Sequence, residues 1–283
     1  MRTYLDCYPC FLRQALVAAR MTGADERMQR AVMASVLDAL RQIEPSNTPP
    51  EIADQIHRIV RLETGNSDPY RAVKEASTRQ ALNLYPRLKA LLAEADDPLE
   101  MAVRLSIAGN IIDLARNQEY DLEEATERVL VQSFAVDDGA AFRKALSVAG
   151  WVLYLADNAG ETVFDRVLIE TLDVPVVYAV KGSPILNDAT IEDALAAGID
   201  RVAEIVSTGS DAPGTVLGLC SEEFRRLYHG AELVIAKGQA NYETLSEEGP
   251  KVFFLLQTKC PVIARDVEVP VGSIVLKQSG GVK

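Results

Sequence analysis

The hydrophobic spacing of this 283-residue chain changes period once, near residue 149, and that change limits the folds open to it. Upstream, Met28, Val32, Val36, Leu40 and Ile43 recur at helical spacing, as do Met101, Leu105, Ala108 and Ile112, and Leu122 to Phe134 continues in the same manner. Downstream come short β-rich runs, "WVLYLA", "VPVVYAV", "RVAEIV", "ELVIAK", "KVFFLL" and "PVIARD", with helical patterns between the first four. Alternating strand and helix predict a mostly parallel sheet. The expectation is therefore an α/β protein with a helical domain at 1–148 and an α/β domain at 149–283.

Breaks between the helices carry their own chemistry. "PSNTPP" at 45–50 and "TGNSDPY" at 64–70 read as turns, and in "ADDPLE" Asp97 is placed to cap a helix that has Pro98 at its first position. The final "QSGGVK" reads as a loose tail.

Charge and composition exclude several functions. Forty-one acidic against 29 basic residues give a net charge of -12, which repels a phosphate backbone and argues against general nucleic-acid or anionic-membrane binding. The first twenty residues lack an uninterrupted apolar stretch, and no later segment offers a membrane-spanning run, so a cytoplasmic location is expected. Four cysteines do not make a disulfide framework in a chain this long.

In open parallel sheets, ligands bind beyond the carboxyl ends of the strands. That rule selects "ADNAGE" after Ala156, "KGSPILNDAT" after Val180 and "KGQANYE" after Ala236. Asp157, Asn158 and Asp188 offer only oxygen ligands, which suits a hard or borderline cation such as Mg²⁺ or Mn²⁺; a turn with a helix cap is the structural alternative. Structural zinc is disfavoured, since the two histidines, His57 and His229, lie far apart and outside these loops. Lys181 and Lys237 each precede a glycine, so either could neutralise a bound anion or be a solvated loop lysine. Neither loop is a P-loop, and no dinucleotide fingerprint is present.

In the helical part, Asn110 and Asp113 of "AGNIID" share a face, and an amide within that apolar stretch needs buried partners. Asp68 and Lys74 either start a helix or face the site. Cys7 and Cys10 have CxxC spacing without a second pair at zinc-finger distance.

Taken together, "DCYPC", "TGNSDPY", "AGNIID", "DNAGE", "KGSPILNDAT" and "KGQANYE", in this order, resemble the damage-control phosphatase family, in particular its prokaryotic CxxC-bearing branch. The resemblance implies a helical part packed on a three-layer α/β/α part with the site between them. It implies a metal-dependent phosphatase acting on small phosphorylated metabolites, such as sugar phosphates or damaged phosphometabolites. By motif, the metal ligands would be Asp157, Asn158 and Asp188, and the ion Mn²⁺, Ni²⁺, Co²⁺ or Mg²⁺.

The "KGQAN" loop, with Lys237, Gly238, Gln239 and Asn241, would hold substrate phosphate, Asn110 would line the site, and Lys259 would be a further substrate lysine. Asp157, Asp188, Lys237 and Glu161 are then the catalytic candidates, with Glu161 or Asp157 orienting an attacking water. Two other classes compete: a non-catalytic metal or sugar-phosphate binding protein, and a carboxyl methyltransferase using S-adenosylmethionine. Oligomeric state is not legible in the sequence.

Overall fold

The computed structural model describes residues 1–44, 46–110 and 122–280. Its helices are α1 (Tyr8–Met21), α2 (Glu26–Leu40), α3 (Pro49–Thr64), α4 (Arg71–Ala93), α5 (Pro98–Gly109), α6 (Leu122–Val131), α7 (Gly139–Val148), α8 (Thr162–Ile169), α9 (Ile191–Ala196), α10 (Glu222–Gly230), α11 (Gly238–Leu245) and α12 (Pro261–Val267). The strands are β1 (Phe134–Asp137), β2 (Val152–Leu155), β3 (Val176–Val180), β4 (Glu204–Ser207), β5 (Leu233–Lys237), β6 (Val252–Gln257) and β7 (Ile274–Gln278).

The helix starts follow local chemistry. Thr48 and Glu51 form a reciprocal capping box ahead of Pro49, and Asp97 accepts the Glu100 amide at 3.1 Å ahead of Pro98. Phe11, Ala15, Val32, Val36, Ile52 and Val60 close a small core among α1, α2 and α3.

The sheet order is β1-β7-β6-β5-β2-β3-β4, parallel except where β7 runs against β6. Alternate strand residues face opposite layers. Tyr154, Tyr178, Ile235 and Phe253 pack with α4, α5 and α8, whereas Leu155, Val234 and Phe254 pack with α10, α11 and α12. The three-layer α/β/α arrangement is thus present, and α4 and α5 belong to one of its layers.

Three expectations are corrected. The sheet takes β1 from before residue 149, so Phe134–Val148 joins the α/β part and not the helical part expected at 1–148. β1 is a four-residue edge strand with every second residue exposed, which leaves no buried apolar run to read. "PVIARD" forms α12 because Pro261 occupies the first helical turn and Val262, Ile263 and Val267 bury one helical side. β7 includes Gln278, the first residue of the supposed tail, and runs antiparallel to β6 even though α12 lies between the two strands.

β2 has β3 on one side and β5 on the other. The chain therefore reverses its direction of winding there, and the loops after β2 and β5 leave the sheet side by side.

Candidate active site

The loop after β2 and the loop after β3 are clasped by their backbones. The Ala159 amide donates to the Asn187 carbonyl and the Ala189 amide to the Asp157 carbonyl, both at 2.8 Å, and Asn158 and Asp188 form an antiparallel bridge. Asp157, Asn158 and Asp188 are each at most 8% exposed, so these polar side chains are held together out of bulk water.

Asn110, at the end of α5, closes the group from the helical side. Its Nδ2 donates to Asp157 Oδ2 at 2.8 Å and to Glu161 Oε2 at 3.0 Å, while its Oδ1 accepts the Gln257 amide at 3.5 Å. Asn158 Nδ2 adds donations to the same two oxygens at 2.8 and 3.1 Å. Asp113 lies outside the described residues.

The electrostatics are those of carboxylates crowded in a dry place. Burial, then the nearby Glu161 and Asp188 charges, push the Asp157 carboxyl well above its ordinary range, against opposing pulls from Lys259 and Lys181. Burial raises Asp188 to about 6, opposed chiefly by Lys181. Lys181 Nζ stands 3.5 Å from Asp188 Oδ2 and donates to the Gly214 carbonyl, so it is a buried site lysine and not a solvated one.

Asp188 Oδ2 is buried without a hydrogen-bond partner. Among the described residues no three His, Cys, Asp or Glu side chains form a metal-binding group. The set here is two aspartates and a carboxamide, and its donor chemistry suits an oxygen-ligated divalent ion: a cation would satisfy the orphan oxygen and relieve the mutual repulsion of the carboxylates.

Lys237 does not meet the expectation of a substrate contact. Its side chain is fully buried, and Nζ donates to Glu161 Oε1 at 2.5 Å, Asp165 Oδ1 at 2.6 Å and the Ser106 carbonyl at 3.0 Å. All three ammonium donors are used. Burial works against this ammonium, but Asp165 and Glu161 outweigh it and hold its pKa above the ordinary lysine value.

Asn241 is also turned inward. It donates to the Lys237 and Ala156 carbonyls at 2.7 and 3.2 Å and accepts from Thr215 Oγ1 at 2.7 Å. Its carboxamide is engaged in building the loop.

The part of "KGQAN" that meets a site carboxylate is Gly238. Gly238 has φ 76°, and a Cβ there would overlap the Asp157 carboxylate, so the α11 backbone comes up against that side chain only because residue 238 is glycine. The first amides of α11 have no carbonyl partners within the helix. Gln239 Oε1 accepts the Lys259 amide, which seats Lys259 beside the loop, half-buried, where its charge acts on Asp157. Lys74, buried 3.1 Å from Asp193 and 3.3 Å from Asp68, acts on Asp188 from the helical side.

Sequence reasoning missed Asp165. Its Oδ1 accepts from Lys237, Ser106 Oγ and Tyr154 Oη, and its Oδ2 accepts from Tyr178 Oη at 2.7 Å. Two periodicities in the sequence held the signal: Asp165 follows Glu161 by one helical turn, and Lys237 shares the strand parity of Leu233 and Ile235.

A buried cluster of carboxylates and lysines at the point where an α/β sheet reverses winding defines a class of ligand-binding α/β protein, and comparison with known proteins narrows it. The profile of the damage-control phosphatase ARMT1-like domain matches residues 3–275. The chain is 36% identical over 285 residues to an uncharacterized protein of Methanocaldococcus jannaschii, covering 96% of this chain and 93% of that one. It is 35% identical to a damage-control phosphatase of Pyrococcus horikoshii, with 97% of each chain covered. A solved structure of a DUF89 family protein from the same organism superposes with TM-score 0.91 at 33% identity, covering 99% of both chains. The chain belongs to the damage-control phosphatase family.

Proposed function

We propose that this protein is a metal-dependent phosphatase that hydrolyses small phosphate esters such as sugar phosphates or damaged phosphometabolites. The observation that carries the reading is the clasp that brings Asp157, Asn158 and Asp188 together, leaving one buried carboxylate oxygen without a hydrogen-bond partner, with only the Lys181 ammonium 3.5 Å away. The family supports phosphatase chemistry, and relatives from Pyrococcus horikoshii and Archaeoglobus fulgidus, 35% and 34% identical, carry the name damage-control phosphatase.

Asp157, Asp188 and the Asn158 carboxamide would hold Mg²⁺, Mn²⁺, Co²⁺ or Ni²⁺. Such an ion supplies Lewis-acid polarisation of a phosphoryl oxygen and acidifies bound water. The chain's own groups do the rest. The first amides of α11 and the Lys259 ammonium bind the non-bridging phosphate oxygens, and Lys181 adds positive charge beside Asp188. Glu161, fixed by Lys237 and Asn110, orients the attacking water. Asp157, Asn158 and Asp188, each at most 8% exposed, are screened from competing bulk water.

The test is phosphate release by metal-stripped protein from a panel of sugar phosphates and an aryl phosphate, with each of the four cations added back. Metal-dependent release that disappears in Asp157→Ala and Asp188→Ala is expected. Full metal-dependent turnover in either variant overturns the mechanism, and metal binding without release from any ester favours a binding protein.

A further inference from the structure

The "DCYPC" segment takes no part in this chemistry, yet the fold fixes it firmly. The Met1 ammonium donates to the Glu243 carbonyl at 2.9 Å, Asp6 pairs with Arg265 at 3.6 Å, and the Arg265 guanidinium lies 5.1 Å from the centre of the Tyr4 ring. These contacts hold the start of α1 against α11 and α12. Cys260, which precedes α12, is brought to the same junction, with its Sγ 3.9 Å from Gln239 Nε2.

Cys7 is the residue before α1 and has helical backbone angles, φ -77° and ψ -27°; Cys10 is the third residue of that helix. Residues three apart on a helix have Cα atoms about 5 Å apart, within the span a disulfide bridges. Pro9 sits in the first turn, where its missing N–H costs no helical hydrogen bond, and its ring stiffens the spacing. Cys7, Cys10 and Cys260 are partly exposed, within reach of small reagents, and none of the chain's cysteines is in a disulfide.

We propose that Cys7 and Cys10 form a reversible dithiol–disulfide site that exchanges with low-molecular-weight disulfides, with Cys260 as a bystander thiol at its edge. One thiol, on losing its proton, attacks the external disulfide, forms a mixed disulfide and releases one small thiolate. The second then attacks the protein sulfur of that mixed disulfide and releases the other. Two protein thiols are oxidised by two electrons, and one external disulfide is reduced to two thiols.

The surroundings favour persistence of the bridge once formed. Burial, then Glu243 and the other two cysteines, raise the Cys7 thiol, opposed by a backbone hydrogen bond from Tyr4; a thiol of raised pKa leaves a disulfide slowly. A shared soft-metal site is not indicated, because among the described residues no three His, Cys, Asp or Glu side chains are grouped to hold an ion.

Full-length protein equilibrated with mixtures of oxidised and reduced glutathione, alkylated with iodoacetamide and digested with trypsin tests this. The peptide 3–13, which contains both cysteines, is expected to lose two hydrogens, resist alkylation, and regain both thiols with dithiothreitol. Cys7→Ser and Cys10→Ser should each stop at the glutathione adduct, and Cys260→Ser should leave the bridge intact. Full alkylation of Cys7 and Cys10 after oxidation, or a cross-link from either to Cys260, overturns the proposal.

Discussion

Lys237 Nζ lies 2.6 Å from Asp165 Oδ1 in a pocket where both side chains are fully buried, and the same ammonium reaches Glu161 at 2.5 Å. The pair joins the end of β5 to α8 behind the candidate site. These contacts tie Glu161 in place.

Replacing Lys237 with Met should therefore act on stability first. Two buried carboxylates would lose their counter-charge, and breaking a buried pair costs about 3–5 kcal/mol. Denaturant unfolding measures this. A variant of unchanged stability with only a raised KM would show that Lys237 touches substrate after all.

Asp165→Asn keeps the shape and removes the charge that anchors Lys237, while placing an amide against at least one of four donors. Groups hydrogen-bonded directly to metal ligands typically matter by about 10–100-fold, and Asp165 acts one step further out, through Lys237 and Glu161. Mn²⁺ affinity by calorimetry and kcat should therefore both fall by up to about 10-fold, with KM for an aryl phosphate little changed. Unaltered Mn²⁺ affinity would place Asp165 outside the site's support.

Gly238→Ala tests the approach of α11 to Asp157. Its positive φ disfavours any Cβ, and this Cβ would overlap the carboxylate, so Asp157 must move. Misplacement of a reacting group by about 1 Å costs on the order of 10²-fold in rate. Phosphate release should fall by that much while near-ultraviolet circular dichroism stays native; wild-type turnover would mean that Asp157 has room to spare.

His57 should make the fold acid-sensitive. Burial, with a smaller contribution from Arg61, lowers its pKa from 6.5 to about 3, so it stays neutral in the folded chain. Between those values the unfolded chain binds the extra proton. Stability is therefore retained above pH 6.5 and lost as pH falls toward 3, with a slope approaching about 1.4 kcal/mol per pH unit. Urea midpoints from pH 7 to 4 should drop more steeply for the wild type than for His57→Gln. Parallel profiles would contradict the assignment.

The loops after β2, β3 and β5 were legible because a buried apolar run ending in polar residues and glycine marks the carboxyl end of a parallel strand. Asp157, Asn158 and Asp188 could be assembled on paper from that rule. The direction of the Lys237 side chain could not, since a lysine before a glycine reads as a ligand until the strand's parity is tied to a particular helical layer. Asp165 was obscured because an aspartate on a helix ordinarily faces water.

Local sequence thus determined what short-range chemistry controls: helix caps at Thr48 and Asp97, the alternation of strand and helix after residue 149, and the polar ends of three strands. Tertiary structure decided everything that depends on distant segments meeting. It added β1 and β7 to the sheet, brought Asn110 onto Asp157 across 47 residues, enclosed Lys237 between Glu161 and Asp165, and carried the N-terminal cysteines to Cys260. The physical reason is that a buried charge is tolerable only with partners, and where those partners come from is fixed by sheet order and layer packing, which no local pattern encodes.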